Sequence, residues 1–107
     1  MANDPERQAD FRALYEAAPC GLMSTASNGM VLKLNATLCQ WLAVDADEIE
    51  GKRRFQDLLT MGSKIFHQTH WLPLLQMQGS VAEVQLELLT RTGDKLPVLV
   101  NSRRVDR

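Results

Sequence analysis

This chain lacks a long apolar run, a surplus of one charge and a cysteine framework, and each absence excludes something. None of its apolar stretches approaches the ~20 residues that a membrane-spanning helix needs, so direct insertion into a bilayer is not expected. Twelve Lys and Arg against 13 Asp and Glu give a net charge of −1. That balance offers no basic excess to hold nucleic acid by its phosphates, and Arg53-Arg54 and Arg103-Arg104 read as solvated surface. The two cysteines, Cys20 and Cys39, form neither a CxxC pair nor a disulfide framework and are expected as reduced thiols. Residues 1–10 lack the basic-then-apolar layout of a secretory leader, which points to the cytoplasm. There is no nucleophile with a base at motif spacing, no Gly-rich phosphate loop and no acid pair, so no catalytic role is expected.

What is present is 107 residues, 45% hydrophobic and 23% charged, enough for one domain with a single core. Asp4-Pro5-Glu6 reads as a helix start, with proline in the first turn and acids at the positive end of the dipole. Phe11, Leu14, Tyr15 and Ala18 follow at i, i+3, i+4 and i+7, which predicts an amphipathic helix ending near Pro19-Cys20-Gly21. Residues 21–26 and 30–34 are short extended runs around Ser27-Asn28-Gly29, and Asn-Gly predicts a tight hairpin with positive φ angles. In the second run Met30, Leu32 and Leu34 fall on one side, with Val31 and Lys33 on the other.

Asn35 stands where the period of two gives way to a helical period, so its side-chain oxygen is placed to cap a helix. Leu34, Leu38, Trp41 and Leu42 form the apolar stripe of that helix. Asp45 or Asp47 caps a further short helix closed by Gly51, and Phe55, Leu58 and Leu59 share a stripe. Ser63 is predicted to cap a longer helix carrying Ile65, Phe66, Leu72, Leu74, Leu75 and Met77, interrupted or kinked at Pro73 and stopped by Gly79. Ala82, Val84, Leu86 and Leu88 alternate with Glu83, Gln85 and Glu87 as a half-buried strand. Thr92-Gly93-Asp94 then turns the chain into a second strand with Leu96, Val98, Leu99 and Val100, where Pro97 should sit near the start or at a bulge. His67 and His70, three apart, are expected on adjacent helical faces within reach of one metal ion or ligand. The HExxH pattern is missing and two ligands fall short of a stable zinc site, so the pair reads as packing or pocket-lining histidines and no metal site is assigned.

Asn35 with Leu38 three residues on and Trp41 six on, the acidic turn Glu48-Ile49-Glu50-Gly51, and Phe55-Gln56-Asp57-Leu58-Leu59 together resemble the central part of a PAS domain. The two long C-terminal strands with their Gly-Asp turn resemble later strands of the same fold, and the likeness covers about residues 11–105. PAS sequences commonly carry Gly-Tyr where this chain has Ala43-Val44. The resemblance implies an α+β fold, an antiparallel sheet of five strands flanked by short helices, with an N-terminal amphipathic helix outside the sheet. Four strands are readable. A helical cap over residues 1–20 and a core over 21–107 lacking its last strand are therefore expected, the fifth strand coming from a longer polypeptide or a partner chain.

Function follows from the resemblance in the same way. It implies a bacterial sensory module of signal transduction, as in two-component systems, that binds a small ligand or partner and relays a conformational change to an output domain: a kinase, a diguanylate cyclase or a phosphatase. The pocket would be lined by Leu38, Trp41, Leu42, Phe55, Leu58, Phe66, His67, His70, Leu86 and Val98. A homodimer would form through the N-terminal helix at Phe11, Leu14, Tyr15 and Ala18. Haem is a possible cofactor, through an axial His67 or His70. The flavin-photosensor motif Asn-Cys-Arg-Phe is absent, and two separated cysteines cannot hold an iron–sulfur cluster alone. The alternative is a ligand-free dimerisation scaffold. A metal-dependent hydrolase built on His67 and His70 is not expected.

Overall fold

Two antiparallel hairpins carry the strands. In a computed structural model, which describes residues 5–105, β1 (Met23–Thr25) pairs with β2 (Val31–Leu34), and β3 (Ser80–Leu89) pairs with β4 (Lys95–Arg103). The chain divides into two compact units, Met1–Phe55 and Gln56–Arg107, with one hairpin in each.

Both turns are built alike. Ala26 N–H donates to the Met30 carbonyl at 2.8 Å and Gly29 N–H to the Ala26 carbonyl at 2.9 Å. In the second hairpin Thr90 N–H donates to Asp94 and Gly93 N–H to Thr90, each at 2.9 Å. Each loop closes on a glycine in the left-handed region, Gly29 at φ 90° and Gly93 at φ 86°, as a three-residue hairpin loop requires. The expectation of positive φ at both Asn28 and Gly29 is thus corrected: Gly29 alone carries it.

A bulge in each hairpin resets the burial phase. Ser24 faces Lys33 and Thr25 faces Val31, which leaves Leu32 as the extra residue. Val31 and Leu34 are consequently buried together, and Leu32, expected on the same side as Leu34, is 48% exposed. In the second hairpin Val81 faces Ser102 and Val84 faces Val100, so Ala82 and Glu83 oppose Asn101. Glu83 takes φ 56°, and its N–H donates to Asn101 Oδ1 at 2.9 Å. Val81 takes the buried place that alternation had assigned to Ala82, which is exposed. Past the bulge Leu86 and Leu88 are buried, in phase with the sequence pattern.

Glu87 directs its backbone away from β4: its N–H donates to Ser63 Oγ at 2.8 Å, and its carbonyl accepts from Thr60 N–H at 3.0 Å. Its cross-strand neighbour is Pro97. That pair exchanges no ladder hydrogen bonds, so the missing proline N–H costs nothing there.

The helices begin and end close to where the sequence places them. α1 (Pro5–Glu16) opens on its proline and ends ahead of the expected Pro19-Cys20-Gly21; the expected role of Asp4 lies outside the described residues. α2 (Ala36–Leu42) is capped by Asn35. α3 (Ala46–Ile49) follows Asp45, whose backbone N–H donates to Glu48 Oε1 at 3.0 Å. Residues 51–55 then run beside β2, Gly51 N–H donating to the Val31 carbonyl at 2.8 Å and Val31 N–H to that of Arg53 at 2.9 Å. A 3₁₀ turn follows at Phe55–Leu58.

α4 (Met61–Phe66), a π turn at His67–Trp71 and α5 (Leu72–Gln78) form one continuous helix that stops at Gly79, φ 78°. It starts after Thr60 and not at Ser63, which lies inside the first turns and holds Glu87 instead. The π turn explains how Pro73 is tolerated. A proline has no N–H for the carbonyl four residues back, and its ring would press on that carbonyl. Leu72 N–H reaches five back to His67, and this wider turn just before the proline absorbs the conflict without breaking the helix. Core side chains are Val31, Leu34, Leu42 and Ile49 in the first unit and Leu59, Trp71, Leu86 and Leu88 in the second, all 5% exposed or less.

Candidate functional site

In the first unit Asn35 is a hub with all its side-chain polar groups engaged. Its Oδ1 accepts from Leu22 N–H at 2.9 Å and Leu38 N–H at 3.1 Å. Its Nδ2 donates to the Tyr15 carbonyl at 2.8 Å and the Cys20 carbonyl at 3.0 Å. The residue is 0% exposed, so these four bonds join the end of α1, the start of β1 and the first turn of α2 where water cannot substitute. Around it, Ala36 N–H donates to Glu16 Oε1 at 3.0 Å, Thr37 Oγ1 to the Ala18 carbonyl at 2.6 Å, and Leu34 N–H to Glu50 Oε2 at 3.1 Å.

The candidate pocket residues of this unit divide by exposure. Leu38 and Leu42 are buried, Phe55 is half-buried, and Trp41 is 42% exposed. Trp41 and Leu38 close over Gly21, where a Cβ would lie 2.9 Å from Leu38 Cδ1 and 3.3 Å from Trp41 Cζ3. Of the candidate interface residues on and after α1, Phe11 and Leu14 are 63% and 69% exposed. Tyr15 and Ala18 are half-buried. The Tyr15 hydroxyl is buried without a hydrogen-bond partner, and burial, then the Glu16 carboxylate, push its pKa up. Burial likewise pushes up the Cys39 thiol, with Glu50 next in effect. Both groups are therefore held protonated.

In the second unit the π turn arranges two aromatic pairs. His67 stacks on Trp71 with ring centroids 5.9 Å apart and an interplanar angle of 28°. His70 stacks on Phe66 at 4.8 Å and 8°. His67 and Trp71 are 5% and 3% exposed, whereas Phe66 is 40% exposed and His70 is also exposed. Thr69 Oγ1 donates to the Ile65 carbonyl at 2.9 Å and lies 2.8 Å from His70 Nδ1. The expectation that His67 and His70 reach one ion from adjacent faces is thus corrected: one imidazole is inside and the other outside, each held by its own aromatic four residues away. Among the described residues no three His, Cys, Asp or Glu side chains gather as a metal site. Burial lowers the pKa of His67, which favours the neutral imidazole at pH 7. Leu58 and Leu86 are buried, and Val98 is half-buried.

Sequence reasoning missed Trp71, the buried partner of His67. The signal was available: Ser63, His67, Trp71 and Leu75 recur every four residues and mark the inward face. Ile65, Leu74 and Met77, taken as the helix's apolar residues, are 56%, 38% and 83% exposed.

Among the described residues no helix is long and apolar enough to cross a membrane. The phosphoserine phosphatase RsbP of Bacillus subtilis (strain 168) is 29% identical over 85 residues, 79% of this chain and 21% of the phosphatase. The chain thus spans about a fifth of that curated relative. A domain of the sensory box sensor histidine kinase/response regulator from Geobacter sulfurreducens has the same fold, with a TM-score of 0.73 and 22% identity over 95% of this chain and 87% of that one. The PAS domain of an HTR-like protein from Haloarcula marismortui gives 0.72 and 24%, over 90% and 82%. The family model of the PAS domain matches residues 19–107, which include the Asn35 hub, the long helix and both hairpins, and the chain belongs to the PAS domain family.

Proposed function

We propose that this chain is the sensory module of a longer bacterial signalling protein, binding a small ligand or partner and relaying a change of packing to an attached output domain. The observation that carries the reading is its likeness to a stretch making up only 21% of a phosphatase, which leaves catalysis to the remainder of such a protein. A relay of this kind is a shift between two arrangements, and a ligand drives it only by its difference in affinity for them. His67 with Trp71 supplies a neutral polar group beside a flat aromatic face among buried aliphatic residues, the mixture that small-molecule sites use. Among the described residues β4 pairs with β3 alone, which leaves its other edge to a further strand. Both cysteines are free thiols, in keeping with a cytoplasmic location. Protein purified without added ligand and then denatured is expected to release a stoichiometric small molecule seen by mass spectrometry, and His67→Ala to release less. Protein that yields nothing while remaining dimeric would replace this reading with the scaffold.

The scaffold reading has its own support in the exposed Phe11 and Leu14 of α1, a pair that needs an apolar partner. In either reading α1 pairs two copies. Leu14→Glu is expected to convert dimer to monomer in sedimentation velocity, and an unchanged dimer would remove α1 from the interface.

A further inference from the structure

We propose that the end of β4 is a lever moved by the long helix, with Arg104 as its latch and the bulge at Glu83 as its hinge. The lever rests on the reading of this chain as a relay, and gives that relay a route within the second unit. Helix and hairpin are joined by a single residue. α5 ends at Gln78 and β3 begins at Ser80, so Gly79, at φ 78°, is the whole connection. Arg104 closes on that connection from the end of the other strand. Its N–H donates to the Gly79 carbonyl at 2.8 Å, and its Nη1 donates to the Gln76 carbonyl at 3.1 Å. The last turn of α5 has no basic residue of its own, so Arg104 brings a cation to the negative end of the helix dipole. A Cβ on Gly79 would stand 3.9 Å from Arg104 Nη2, which sets the guanidinium against the connection itself.

Two cross-strand pairs, Ser80 with Arg103 and Val81 with Ser102, are thereby tied to the helix end. Beyond them the ladder is interrupted. Ala82 and Glu83 oppose Asn101, and Glu83 takes φ 56°. Its N–H donates to the Asn101 side chain at 2.9 Å and not to the backbone opposite. Regular pairing resumes at Val84 with Val100 and runs on to Leu89. Residues 79–81 and 102–104 therefore have a regular attachment to the helix and an irregular one to the rest of their own hairpin. A shift of the helix, such as one begun at His67 and Trp71 on its inward face, displaces Gly79 and carries the end of β4 with it. The register from Val84 to Leu89 holds, and the bulge takes up the difference.

Amide NMR of the whole chain tests this without a ligand, with His67→Phe as the disturbance. In the parent background His67→Phe is expected to shift the resonances of Gly79 and of residues 102–104. In an Arg104→Ala background the change at Gly79 should persist, while that at 102–104 should shrink about threefold or more. Arg104→Lys, which keeps a cation near the Gln76 carbonyl, should restore part of it. Arg104→Ala alone is expected to speed hydrogen exchange about tenfold at 80–81 and 102–104 and to leave 84–88 and 96–100 unchanged. If His67→Phe does not fold by circular dichroism, Leu75→Ala serves as the disturbance. Equal changes at 102–104 with and without the guanidinium, no change there in either background, or faster exchange along the whole hairpin would each overturn the proposal. Release of a small molecule on denaturation decides the sensory reading and none of these outcomes, so the two fail separately.

Discussion

Ala43 closes α2 in a conformation that suits glycine. It sits at φ 59° and ψ 42°, with its N–H donating to the Gln40 carbonyl at 3.2 Å. This is where the sequence departs from the Gly-Tyr common in PAS domains, and the structure shows what the departure costs. A Cβ in the left-handed region costs about 1–2 kcal/mol, part of which glycine would return through its greater freedom when unfolded. Ala43→Gly is therefore expected to stabilise the protein by about 1 kcal/mol, read as a higher urea midpoint at constant slope. A variant no more stable than the parent would show that the strain is relieved elsewhere. Residues of this kind divide the legible from the illegible. The cap made by Asn35 was readable because it depends on local order. Its bonds to Tyr15, Cys20 and Leu22 were not, because they join positions between 13 and 20 residues away.

At the scale of elements, Asn35 holds the end of α1, β1 and α2 in one place. Asn35→Ala would leave the Leu22 and Leu38 N–H groups and the Tyr15 and Cys20 carbonyls without this partner, in a site that is 0% exposed. Each buried group so orphaned costs about 1–3 kcal/mol before relaxation, so a loss of roughly 3–5 kcal/mol in unfolding free energy is expected. Amide exchange should rise at Leu22 and Leu38 while the β3–β4 hairpin stays protected; a loss under about 1 kcal/mol would mean that water replaces the side chain. Element types were legible, and their phases only in part. Alternation predicted β3, but the bulge at Ala82 and Glu83 exchanges which residue is buried at its start. Apolar character predicted a long helix and Pro73 a disturbance, but the π turn chose histidine and tryptophan for the inside and left methionine and isoleucine outside. A bulge or a π turn adds one residue to a repeat, and that addition is settled by contacts distant in sequence.

For the whole molecule, family membership was readable from the Asn35 segment and the final hairpin, because both are local patterns. The stability of the folded chain adds a property that pattern cannot show, its dependence on pH. His67 is held neutral in the fold, its pKa lowered by burial from the ordinary 6.5. The unfolded chain, with its imidazole in water, takes up a proton first as pH falls. Below about 6.5 the unfolded state thus binds more protons than the folded one, and stability declines with falling pH until the folded imidazole titrates as well. The contribution is complete above 6.5 and lost in the acid window below it. His67→Phe keeps an aromatic ring beside Trp71 but removes the titration. Between pH 7.5 and 5 the wild-type melting temperature is expected to fall more steeply than that of His67→Phe, as followed by circular dichroism. Carboxylates contribute equally to both proteins, so the difference between the two curves isolates the imidazole, and parallel curves would mean that the proton enters the folded state without penalty.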